Sequence, residues 1–122
     1  MSQKLTIEVN LFGHDLNCKH TISKVITENL VINKLKFHER MTRVAQQYCD
    51  RAQVKMETFE VATTNLEQLS GEVKVGYRWD SFYDFEDIQH FDKVTEQWPF
   101  TIVNNKALFE LDLPELHVVH EI

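Results

Sequence analysis

Glycine, proline and cysteine are scarce in this 122-residue chain: three, two and two residues respectively. So little glycine and proline leaves no linker or low-complexity tract, and residues 1–122 read as one folded domain. A chain of this size buries a core without disulfides or a structural metal. Cys18 and Cys49 are therefore expected to be reduced thiols inside the fold rather than a framework. Long apolar runs are missing as well; none approaches the ~20 residues that span a bilayer. The opening stretch, Met1 to Glu8, alternates apolar with polar residues and carries an acid where a secretory leader needs an apolar run. These absences lead to the expectation of a soluble, cytoplasmic protein that does not use a membrane.

Catalytic signatures are also missing. The chain has no GxGxxG, P-loop, GxSxG or HExxH, so no cofactor is expected and no catalytic residue is assigned. Ser81, His90 and Asp84 make a triad only on paper, without an elbow to present the nucleophile. Asp112, Glu115 and His117 cluster near the end, where the Pro114 turn accounts for them equally well. His14, Cys18 and His20 are three conceivable zinc ligands at one turn, but no fourth ligand or second motif accompanies them, so no metal is expected. His117 and His120, three apart in a strand, would point to opposite faces.

Charge is plentiful and unevenly placed. Residues 1–53 hold eight Lys/Arg and five Asp/Glu, whereas residues 54–122 hold five and fourteen, within a net charge of −6. That balance argues against direct nucleic-acid binding and for basic partners. Lys34, Lys36, Arg40, Arg43 and Arg51 read as a solvated helix face, interrupted by Glu39 and Asp50. The acidic segment of a second copy is another destination for that face, which is compatible with a homodimer.

Hydrophobic periodicity sets the fold class. Leu5, Ile7, Val9 and Leu11 alternate with polar residues, and after Gly13-His14-Asp15 the alternation resumes at Leu16, Cys18, His20 and Ile22. That pattern predicts an opening antiparallel hairpin. Phe37, Met41, Val44, Ala45, Tyr48 and Ala52 form one helical stripe, predicting the main helix over 34–52 with Asn33 as N-cap. For residues 23–33, whose β-branched residues suit a strand as well, helix and strand both stay open. Val54, Met56 and Thr58 alternate and Phe59 shifts the phase, predicting a bulge at Thr58 or Phe59. Residues 65–71 read as a connection, and Val73 to Trp79 as a clean strand. Asn104-Asn105-Lys106 reads as a hairpin turn between strands, because Asn tolerates positive φ. A last strand is expected from Leu116. The sum is an α+β domain, an antiparallel sheet of five to seven strands with one main helix, in the order ββ-α-βββββ. In outline, a long helix followed by such a sheet resembles hot-dog and cone-like ligand-binding domains.

The densest functional signal lies at residues 77–100, with eight of the thirteen aromatic residues and six acids against Arg78 and Lys93. Alternation breaks down after Trp79, so the rings there cannot all share one buried face. The partner-binding set read from this is Trp79, Asp80, Tyr83, Asp84, Phe85, Glu86, Asp87 and Trp98, with at least two of Tyr83, Phe85 and Trp98 exposed. Exposed rings provide contact area and carboxylates steer a basic protein toward it. The leading expectation is a non-enzymatic binding protein: an immunity protein, antitoxin or phage-type inhibitor. The alternative is a small-molecule binder or small enzyme with a pocket between helix and sheet, lined by Tyr48, Phe59, Trp79 and Phe109.

Overall fold

The computed structural model describes residues 3–83 and 88–115, and for residues 82, 83, 88 and 89 the backbone alone. Strand β1 (Gln3–Asn10) is followed by helix α1 (Lys19–Ile32), a 3-10 turn (Lys34–Phe37) and helix α2 (His38–Gln46). Four strands complete the described chain: β2 (Gln53–Glu67), β3 (Ser70–Tyr83), β4 (Ile88–Val103) and β5 (Lys106–Leu113). They form one antiparallel sheet in the order β1-β5-β4-β3-β2. The α+β class and a five-stranded sheet follow as expected; the element order differs.

The opening hairpin is not formed. Strand β1 pairs instead with β5, matching Leu5 with Leu111, Ile7 with Phe109 and Val9 with Ala107. This register lays two apolar rows side by side, which the four short alternations at Leu16 to Ile22 cannot rival. Residues 19–22 enter α1, where Ile22, Ile26 and Leu30 recur every four positions and are all fully buried. Residues 23–33 are thus helix, and tertiary burial overrides their β-branched content. The expected single helix over 34–52 is in fact a 3-10 turn and the nine-residue α2, and residues 47–52 lead into β2. Asn33 does not cap through its side chain; its amide donates back to the Asn29 carbonyl at 3.0 Å, closing α1.

Both helices cover one face of the sheet, α1 over β2 and α2 over β2 and β5. The core lies between, from Phe37, Met41 and Ala45 above to Tyr77, Trp98 and Phe109 below. The opposite face carries no layer among the described residues. It is polar, with Lys93–Glu60, Lys106–Glu8 and Lys55–Asp80 ion pairs at 3.0, 3.3 and 3.5 Å. Pairs this exposed contribute little stability.

The expected bulge is present: the β2–β3 register shifts between Lys55 and Glu60, and again between Val61 and Thr63. Thr58 anchors the first shift, its hydroxyl donating to the Lys55 carbonyl at 2.6 Å and accepting the Arg78 N–H at 2.8 Å. Asn104 and Asn105 have φ of 53° and 60° and make the β4–β5 turn. The connection expected over 65–71 is a tight turn at Gln68-Leu69, with strand on both sides.

Candidate functional site

The β3–β4 hairpin pairs without interruption from Ser70↔Thr101 to Tyr83↔Ile88. Trp79 and Ser81 therefore face the helices, while Arg78 and Asp80 face the open side. The breakdown of alternation read after Trp79 does not extend through the described part of β3. Trp98 is wholly buried, stacked on Phe37 at 4.6 Å and on Phe59 at 5.9 Å, so it is not among the exposed rings expected from Tyr83, Phe85 and Trp98 and is no surface contact. Trp79 is also core. Both belong to the scaffold beneath the surface, because a continuous strand keeps odd and even positions on opposite faces. Asp80 lies on the open face with Lys55. Of Tyr83 only the backbone is described, and Asp84, Phe85, Glu86 and Asp87 lie outside the described residues.

Among the described side chains of the hairpin, the ring that emerges is Phe91, 64% exposed. The Arg78 guanidinium sits over it, 5.7 Å from the centroid. Phe91, Arg78 and Asp80 line one side of an open groove of about 360 Å³, with Lys55, Glu57 and Thr58 on the other. The groove exists because the bulge at residues 56–59 draws β2 away from β3. Its charges mostly satisfy one another: Lys55 meets Asp80, and Arg78 meets the ring. Glu57 is exposed and makes no ion pair among the described residues. Asp92 follows Phe91 in sequence but pairs with Trp79, so it lies on the helix-side face, exposed at the end of the hairpin, where its carboxylate accepts the Lys93 N–H at 2.7 Å.

Between helices and sheet lies a polar cluster absent from the sequence reading. The Tyr77 hydroxyl and the Arg40 guanidinium each donate to Glu96, both at 2.5 Å, and Arg40 also donates to the Asp112 carbonyl. Burial, then the neighbouring Glu96 charge, pushes the Tyr77 hydroxyl far above the usual tyrosine range. Arg40 therefore belongs to the core side of α2, not to a solvated face. Arg43 and Gln47 continue the contact, donating to the Pro114 and Glu115 carbonyls at 3.4 and 2.9 Å. The signal available in the sequence was the spacing of 40, 43 and 47 along one helix edge. The indole N–H groups of Trp79 and Trp98 and the Arg40 Nε are buried without acceptors among the described residues.

The pocket-lining set does not assemble. Phe59, Trp79 and Phe109 are core residues, whereas Tyr48 is exposed on the surface. The Cys49 thiol donates to the buried Ser81 hydroxyl at 3.3 Å, and Ser81 faces His90 across the hairpin. Cys18, expected inside, is exposed at the start of α1, with its sulfur 3.0 Å from the Thr21 hydroxyl. That hydroxyl and the first backbone N–H groups of the helix hold the thiol below its ordinary range. His14, Cys18 and His20 are all exposed, and among the described residues no group of three His, Cys, Asp or Glu is arranged to hold a metal. No described helix is long and apolar enough to cross a membrane.

Comparison with known proteins returns no matching family model, no matching curated protein and no matching solved structure.

Proposed function

We propose that the protein is a non-enzymatic binding protein that holds a basic protein partner at the open-face end of the β3–β4 hairpin. An immunity protein, antitoxin or phage-type inhibitor is its concrete form. The observation that carries the reading is Phe91: a large ring, mostly exposed, on β4 beside an open groove that Glu57 and Asp80 help to line, in an acid-rich segment of the chain. Exposed aromatic area flanked by carboxylates is the composition of an interface hot spot for a cationic partner. The contact set becomes Phe91, Asp80 and Glu57 together with the acid-rich run from Tyr83 to Asp87. Trp79 and Trp98 act only by stiffening the strands beneath.

The test is capture from the native host followed by association kinetics. Asp84→Lys with Glu86→Lys should slow association and flatten its salt dependence. Phe91→Ala should mainly speed dissociation, by about tenfold or more. An acidic partner, or an association rate indifferent to the charge reversal, sinks the proposal.

A second reading has one observation in its favour. Two indole N–H groups and the Arg40 Nε lack acceptors among the described residues, and buried donors normally find one. A small molecule with acceptor oxygens would supply them. Its binding would raise the melting temperature of the wild type and not of a Trp79→Phe variant.

A further inference from the structure

We infer that the free edge of β1 is an interface for a second copy of this chain, the two β1 strands pairing antiparallel about Thr6 so that the two sheets become one. The inference goes beyond the proposed role of the β3–β4 hairpin. Strand β5 lies between that hairpin and the β1 edge, so the two surfaces act independently.

The sheet order puts β1 at one edge, with no strand beyond it among the described residues. The ladder tells which of its backbone groups are free. Val9 pairs with Ala107, and one step further the Leu11 N–H donates to the Asn105 carbonyl at 2.8 Å. In an antiparallel pair, alternate residues turn their N–H and C=O to the same side. Odd-numbered residues of β1 therefore bond to β5, and Lys4, Thr6 and Glu8 turn both groups to the free edge. Such a row is a template for another strand. Its sequence selects a second β1. With Thr6 opposite Thr6 of the second copy, Lys4 lies opposite Glu8 of the second copy, and the two-fold axis repeats the pair at the other end. Lys4, Thr6 and Glu8 are all exposed on the open face. Within its own copy Lys4 stands across from Asp112, and Glu8 accepts from Lys106 at 3.3 Å. In the joint each charge thus has the opposite sign on both sides. The same register sets Leu5 against Ile7 of the second copy on the helix side, where both are only half-buried in one copy. Centring the pair on Lys4 or on Glu8 brings like charges face to face. Centring it on Leu5 or Ile7 leaves both charges opposite uncharged residues. Lys4 and Glu8 therefore oppose other registers and admit this one. About six backbone hydrogen bonds would join the copies. Using the edge once on each side closes the assembly as a dimer, and an interface this small makes it weak.

Sedimentation equilibrium of the full chain tests this. The wild type should be a dimer at about 100 μM, the range of weak interfaces. Lys4→Glu and Glu8→Lys should each be monomeric there, since each sets like charges against each other at both ends of the joint. An equimolar mixture of the two should recover the dimer, because both ends then join opposite charges. Thr6→Pro removes an N–H that points away from β5, where an edge strand tolerates proline. It should abolish the dimer and leave the monomer folded, as circular dichroism checks for every variant. A wild type that stays monomeric, charge variants that dimerise as it does, a mixture that stays monomeric, or a folded Thr6→Pro that still dimerises overturns the inference. If Thr6→Pro does not fold, the charge variants and their mixture decide alone. The Lys4→Glu variant keeps the hairpin face intact. Its capture of a basic host protein therefore judges the binding proposal separately from the dimer.

Discussion

At the scale of single residues, a largely apolar interior is bordered by one charged pair. Arg40 and Glu96 are charged groups with side chains only 17% and 11% exposed. Such a pair adds little net stability, yet losing one member leaves the other charge buried and unanswered. Arg40→Met is expected to destabilise by about 2–4 kcal/mol, and Arg40→Met with Glu96→Leu by clearly less. Urea unfolding of the three proteins checks the order; a double variant worse than the single one contradicts this account of the cluster. Cys18 illustrates the opposite setting. Because its pKa is lowered, more of it is thiolate at neutral pH than of an ordinary cysteine. Iodoacetamide should alkylate Cys18 before the half-buried Cys49. Thr21→Val should move the midpoint of its alkylation rate to higher pH, and an unmoved midpoint denies the hydroxyl its role.

At the scale of elements, the hairpins depend on close backbone approach more than on turn residues. Gly71 opposes Leu66 in the β2–β3 pair. A Cβ there would collide with the Asn65 carbonyl oxygen, a backbone atom, and would come within 2.8 Å of the Phe100 ring. Gly71→Ala is therefore expected to cost about 2–3 kcal/mol and lower the melting temperature by several degrees; an unchanged melting temperature would contradict the packing described. The neighbouring turn escaped the sequence reading for a physical reason. Gln68 takes φ of 55° without being Gly, Asn or Asp, so no residue announced it. The Asn104-Asn105 turn was legible because its residues suit positive φ. The bulge was legible because an inserted residue shifts the phase of alternation, which a sequence records directly. The break between the 3-10 turn and α2 left no such mark: Phe37 and Met41 keep their four-residue spacing across it.

At the scale of the whole molecule, the helices leave one face of the sheet open among the described residues, and the proposed partner site lies on that face. Its two edges are guarded differently. The long β2 edge is interrupted by register shifts, and the eight-residue β1 carries Lys4 and Glu8. Both are ways to discourage unplanned strand addition.

The sequence by itself determined the α+β class, the antiparallel character, the bulge, the β4–β5 turn and the acid-rich, aromatic character of residues 77–100, since each is written in local periodicity or composition. It did not determine that β1 seeks β5 across the whole chain, that residues 16–22 abandon their alternation for a helix, or which rings of the aromatic segment face water. Those depend on which surface is present to be buried against. Trp98 and Phe91 have similar neighbours in sequence; only the helix layer above one face and its absence from the other make the first a core residue and the second a candidate contact.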